Sequence, residues 1–171
     1  MEDSARRIRR RLPGCDNHGM RIADMTLDDE ALAKEVLAVQ HAAYAVEAEI
    51  IGDDRIPALH ETLDEMCAEP LTWLGAFDGD RLVGAVAWSE TEDEVDIDRL
   101  VVDPGAHRRG IGRALVEELT SRAGGRRITV STGRANTPAR TLYERLGFGG
   151  AEDAEVIPGL WITRYARPAE G

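Results

Sequence analysis

The sequence predicts a mixed α/β (α+β) domain of about six to seven short strands and about four helices. Three observations carry this. Two apolar runs meet at Asp78-Gly79-Asp80, and an Asp-Gly pair between such runs is a strong hairpin signal. A third run, Val95–Val102, stops at Asp103-Pro104-Gly105 and leads through a glycine-bearing loop into helical spacing. A second amphipathic stretch, Asn136–Phe148, follows a further short strand.

The elements follow in order. Residues 1–19 are polar and Arg-rich, and they read as a mobile tail, leaving one domain over 20–171. Arg21–Met25 reads as a first strand, with Ile22 and Met25 apolar. Thr26, followed by Asp28 and Asp29, reads as a helix start, with the helix running through Leu32, Val36 and Tyr44 to Ile50-Ile51-Gly52. Leu59, Leu63 and Met66 predict a second helix. Thr72–Phe77 and Leu82–Trp88 form the hairpin, and Val95–Val102 is the next strand. Gly110–Arg122 is a helix that Gly124-Gly125 ends. Arg127–Ser131 is a strand, and Ala151–Arg167 reads as two closing strands around Pro158-Gly159.

Length and composition set the bounds. A chain of 171 residues with 43% hydrophobic and 31% charged content suits one soluble globular domain. No apolar run reaches the length of a membrane span, no apolar run follows the N-terminal arginines, and the expected location is cytoplasmic. Cys15 and Cys67 are isolated, and His18, His41, His60 and His107 lack metal-ligand spacing, so no disulfide framework or metal site is expected. The net charge of −11 argues against nucleic acid as a partner. That charge is uneven. Ala23–Asp103 holds 22 acidic residues against 4 basic, whereas Pro104–Gly149 holds 9 Arg against 3 Glu. The first part can attract cations and the second anions, which suits an enzyme joining an amine to a polyphosphate carrier. Solvated surface faces produce the same asymmetry without any such role.

The segment Arg99–Leu115 concentrates the anion-binding signals. A helix N-terminus offers free N–H groups and the positive end of a dipole. Gly110 and Gly112 let an anion approach the backbone, and Arg108, Arg109 and Arg113 add charge. Ile111-Gly112 stands where a P-loop needs Lys and Ser/Thr, and the dinucleotide pattern GxGxxG is absent.

This segment resembles the acetyl-CoA-binding motif of the GNAT superfamily of N-acetyltransferases, Arg/Gln-x-x-Gly-x-Gly/Ala. Gly110 and Gly112 match its small positions, and His107 stands at the Arg/Gln position. Asn136, Ala139, Leu142, Tyr143, Gly147 and Phe148 match a second segment of that family, with Thr137 readable as a helix cap and Pro138 as its first residue. The resemblance covers roughly residues 20–166. It implies a mixed, mostly antiparallel central sheet, splayed between its fourth and fifth strands, Val95–Val102 and Arg127–Ser131. Acetyl-CoA, as co-substrate, would lie in that opening. Its pyrophosphate would sit on residues 108–113, including Ile111, and its pantetheine arm would run along Leu100, Val101 and Val102 as an added strand does. Asn136 and Ala139 would border that arm, with the Tyr143 hydroxyl near the sulfur. A backbone N–H near Leu100–Val101 would hold the oxyanion.

The implied reaction is direct attack of a neutral primary amine on the thioester. An alkyl ammonium has a pKa of about 10.4, so a base must take its proton. Period-two alternation places Asp96 and Asp98 on the strand face of Leu100. Asp96 also lies 11 residues before His107, a spacing at which some members of the GNAT superfamily carry a catalytic Glu, so the resemblance makes Asp96 the first base candidate and Asp98 the second. Glu94, Glu47 and Glu49 are candidates for holding a cationic acceptor. Tyr143 is the candidate acid for the departing thiolate. The competing expectations are a non-catalytic acyl-CoA-binding module and an interaction protein on the same fold. Family members are often dimers, so the resemblance allows a homodimer.

Overall fold

The computed structural model describes residues 20–107 and 109–170. The expectations for the N-terminal tail and for Arg108 therefore lie outside the described residues. Seven strands form one sheet in the order β1-β2-β3-β4-β5-β7-β6. In chain order these are β1 (Met20–Met25), β2 (Thr72–Asp78), β3 (Arg81–Glu90), β4 (Glu94–Val102), β5 (Arg127–Gly133), β6 (Gly149–Ile157) and β7 (Leu160–Arg167). The helices are α1 (Glu30–Ile51), α2 (Leu63–Ala68), α3 (Ile111–Arg122) and α4 (Thr137–Arg145). Every neighbouring pair is antiparallel except β4 and β5. The expected class, strand count and helix count therefore hold.

Local chemistry moves three boundaries. Asp29, rather than Thr26, caps α1, because its carboxylate accepts from the N–H groups of Ala31 at 3.0 Å and Leu32 at 3.3 Å. The second helix is shorter than expected. Pro57–Leu59 forms a separate 3₁₀ turn, and a capping box between Thr62 and Glu65 starts α2 at Leu63. Asn136, rather than Thr137, caps α4 by accepting from the Ala139 N–H at 3.3 Å.

Two apolar layers flank the sheet. On one face Val86, Trp88, Val95 and Ile97 pack with Ile111, Leu115 and Leu119 of α3 and Tyr143 of α4. On the other, Trp73, Leu82, Ala85 and Val101 pack with Val36 and Val39 of α1 and Met66 of α2. α3 lies close on the sheet: a Cβ at Gly84 would fall 2.8 Å from Ile111 Cγ2.

β4 breaks the expected alternation. Ala87 pairs with Arg99 and Trp88 with Ile97, which makes Asp98 the extra residue of a β-bulge. Val95 and Ile97 face the α3 side, and so do Leu100 and Val102, while Val101 faces α1. The bulge shifts the alternation by one residue. Asp96 therefore lies on the opposite face from Leu100, contrary to the period-two expectation. β4 pairs with β5 only over Glu94–Ile97 and Arg127–Val130. From Asp98 onward the β4 edge that faces β5 has no strand partner among the described residues, whereas β5 stays paired with β7 as far as Gly133. The sheet is splayed at the expected place.

Candidate active site

A cavity of about 230 Å³ opens where β4 and β5 part. Its polar lining includes Tyr44, Glu47, Asp98, Arg99, Asn136 and Tyr143. Its apolar wall comes from Ile51, Ile56, Leu100, Val156, Leu160 and Ile162. The polar groups thus come from widely separated segments: α1, the bulge of β4, the end of β5, and α4 with its cap.

Each is fixed by its own local chemistry. α1 carries Tyr44 and Glu47 on successive turns of one face and ends at Gly52, whose φ of 70° is the left-handed conformation that glycine adopts without a Cβ penalty. Glu47 faces the Asn136 side chain and the Gly133 N–H, both of which favour its charged form, while burial outweighs them and raises its pKa. The helix end approaches β5 closely: a Cβ at Gly133 would fall 3.0 Å from Ile51 Cγ2 and 3.4 Å from Glu47 Oε1. Tyr143 is 4% exposed, and its ring meets Phe148 edge-on at 5.5 Å between centroids. Burial raises the pKa of its hydroxyl, and the Glu47 charge raises it further. Burial likewise raises Tyr44. Both phenols are protonated at neutral pH, so each is a proton donor.

Arg99 ties the wall together. Its guanidinium donates to Glu61 at 2.8 Å, to Gln40 at 3.0 Å and to Asp98 at 2.6 Å. Gln40 in turn donates to the Ala58 carbonyl at 3.0 Å, and a His41 ring nitrogen lies 2.8 Å from the Glu61 carbonyl oxygen. The segment after α1, with Ile56 and Pro57, is thereby pinned against both α1 and β4. Among the described lining residues Arg99 is the only cation, and two carboxylates already share it.

The two aspartates of β4 differ. Asp98 borders the cavity with its carboxylate on Arg99. Asp96 is exposed, accepts from the Thr129 hydroxyl at 2.6 Å, and is not among the lining residues. Glu47 was legible only as one of several acidic residues, because its helix gives no sign of the distant strand it crosses.

The loop into α3 keeps the expected backbone. Gly110 caps the helix at φ 70°, and a Cβ there would meet nothing within 4 Å. The Ala114 N–H is the first to bond back, to the Gly110 carbonyl at 3.0 Å, so the N–H groups of Ile111, Gly112 and Arg113 precede the helical ladder. A Cβ at Gly112 would sit 3.4 Å from Leu142 and 3.7 Å from Leu100 and Val102, so only a small residue keeps that space open. Arg109 pairs with Asp78 at 2.9 Å and Arg113 with Glu117 at 2.8 Å, and His107 is exposed. Arg109 and Arg113 each hold an ion pair with a carboxylate beside the leading N–H groups of α3.

The splayed mixed sheet thus has the start of α3 at one end of its opening and the buried Tyr143 phenol at the other. The chain belongs to the acetyltransferase (GNAT) family, whose model matches residues 38–148. It is 38% identical to the protein YqkA of Bacillus subtilis over 138 residues, 80% of this chain and 40% of that protein. It is 31% identical to the N-alpha-acetyltransferase RimI of Mycobacterium tuberculosis over 132 residues, 72% of this chain and 82% of that protein. Among solved structures it resembles yncA of Salmonella typhimurium, described with acetyl-CoA as its cofactor, with a TM-score of 0.66 and 17% identity. That match covers 89% of this chain and 95% of the other. The chain spans well under half the length of the YqkA protein it matches. Among the described residues no helix is long and apolar enough to cross a membrane.

Proposed function

We propose that the chain is an acetyl-CoA-dependent N-acetyltransferase that modifies a primary amine, cationic in its free form. One observation carries this reading: the unpaired edge of β4 from Asp98 to Val102 runs between the α3 N-terminus and the Tyr143 cavity. The residues present suit such a co-substrate. The N–H groups of Ile111, Gly112 and Arg113 suit a pyrophosphate. The β4 edge suits the amides of a pantetheine arm, which pair with an open strand by β-addition. Acetyl-CoA supplies the activated acyl group as its thioester.

The chain's own residues then do three things. The acidic lining attracts an ammonium group, while the aliphatic wall suits its stem. A backbone N–H on the open edge near Leu100 polarises the thioester carbonyl and holds the charge that develops on its oxygen. Tyr143, protonated at neutral pH, gives its proton to the departing sulfur.

The test is calorimetric titration with acetyl-CoA, followed by thiol release in the presence of a panel of alkylamines and lysine-bearing peptides. Binding with amine-dependent release of one thiol per amide formed is expected. Binding without release from any amine would favour the non-catalytic module, and no binding would remove the co-substrate altogether.

A further inference from the structure

We propose that the Glu47 carboxylate binds the acceptor's ammonium group and takes its proton, so that α1 rather than β4 supplies the general base. This assignment rests on the acetyltransferase reading of the same cavity.

Position comes first. Glu47 lines the cavity together with Tyr143 and Leu100, whereas Asp96 does not. Charge comes second. Asp98 and Glu61 are both held by Arg99, but Glu47 forms no ion pair among the described residues. A half-buried carboxylate without a cation is unfavourable, and an incoming ammonium relieves it. Hydrogen-bonding capacity comes third. The Asn136 amide and the Gly133 N–H occupy part of the carboxylate, which offers about four lone-pair sites. The remainder is available to a ligand. The glycine at 133 helps α1 come this close, since a Cβ there would crowd Ile51 at 3.0 Å.

The chemistry balances. The ammonium gives one proton to Glu47, which passes it to solvent. The freed nitrogen forms the N–C bond as the C–S bond breaks. A second N–H proton is lost from that nitrogen, and it replaces the one Tyr143 gives to the sulfur. The products are an amide, a thiol and one released proton. Burial raises the Glu47 pKa toward the range a base needs at neutral pH. The titratable and charged groups around it are Tyr44 on α1, Tyr143 on α4, and Asp98 and Arg99 on β4. Burial raises both tyrosines, and Arg99 stays charged because its bonds to Glu61 and Asp98 outweigh its burial. The β5 and β7 lining residues, Ser131, Thr132, Leu160 and Ile162 among them, carry no charge. Asp98 is therefore the one competing carboxylate among the described lining residues.

The experiment follows pentylamine-dependent thiol release against pH at saturating acetyl-CoA, with acetyl-CoA affinity measured separately by calorimetry. In the wild type the rate should fall on the acid side. Glu47→Gln should bind acetyl-CoA as the wild type does, lose roughly 10²-fold or more in turnover, and lose that acid limb. Glu47→Asp should recover part of the rate and restore a limb. Turnover that survives in Glu47→Gln with the limb unmoved overturns the assignment, as does a limb that vanishes in Asp98→Asn or Asp96→Asn instead. A wild type that binds acetyl-CoA and releases no thiol with any amine overturns the assignment and the acetyltransferase reading together.

Discussion

β3 buries seven consecutive residues, Leu82–Trp88, whereas β6 exposes all nine of Gly149–Ile157. The first belongs to a plate of four antiparallel strands, β1 to β4, covered on both faces by apolar side chains of helices. The second belongs to a plate of three strands, β5, β7 and β6, whose outer edge shows Val156 at 50% and Ile157 at 40% exposure. The plates touch in register along only four residue pairs. The fold thus invests its packing in one plate and leaves the other free to border a cavity. The site lies at the seam, where strand pairing stops before the strands do.

The largest effect should come from breaking the fixed side of that seam. Arg99→Ala leaves Asp98, Glu61 and Gln40 without their shared donor in a nearly buried position. We expect a loss of about 3 kcal/mol in denaturant unfolding. A loss below ~0.5 kcal/mol would show that the network is not what holds the wall.

Tyr143→Phe should leave the packing intact, because the ring and its Phe148 contact remain. Turnover should drop by about 10²-fold while acetyl-CoA affinity stays within a factor of about two. Unchanged turnover in a chemistry-limited assay would remove Tyr143 from the proton transfer.

The smallest effect concerns the cost of the site to the fold. Burial raises the Glu47 pKa above its ordinary 4.5. A raised folded-state pKa contributes stability that is present below the unfolded value and lost as pH rises through the folded one. The wild type should therefore lose stability relative to Glu47→Gln as pH rises from 4.5. Chemical denaturation at pH 4 and pH 7 checks the sign. A gap that does not widen with pH would mean that the buried charge is fully compensated.

What the sequence made legible was local. The Asp78-Gly79 hairpin, the Gly110 cap of α3 and the Asn136–Phe148 helix each carry their signal within a few residues. The splay came from the resemblance, and its physical cause is long-range. Nothing in Asp96-Ile97-Asp98 resembles a bulge, since no Gly or Pro marks it; it appears only once β3 has paired with β4. That one extra residue is why alternation misplaced Asp96 relative to Leu100. Glu47 was obscured in the same way. On α1 it is one polar residue of an amphipathic helix, and its meaning comes from Gly133 and Asn136, which meet it only in three dimensions.

Acetyl-CoA bound in the seam would cover the open edge of β4 and the start of α3. Hydrogen exchange with and without acetyl-CoA tests it most directly. Slowed exchange is expected at residues 98–102 and 110–113, with β6 unchanged. Protection confined to β6 or to the outer face of α1, or none at saturating acetyl-CoA, would contradict it.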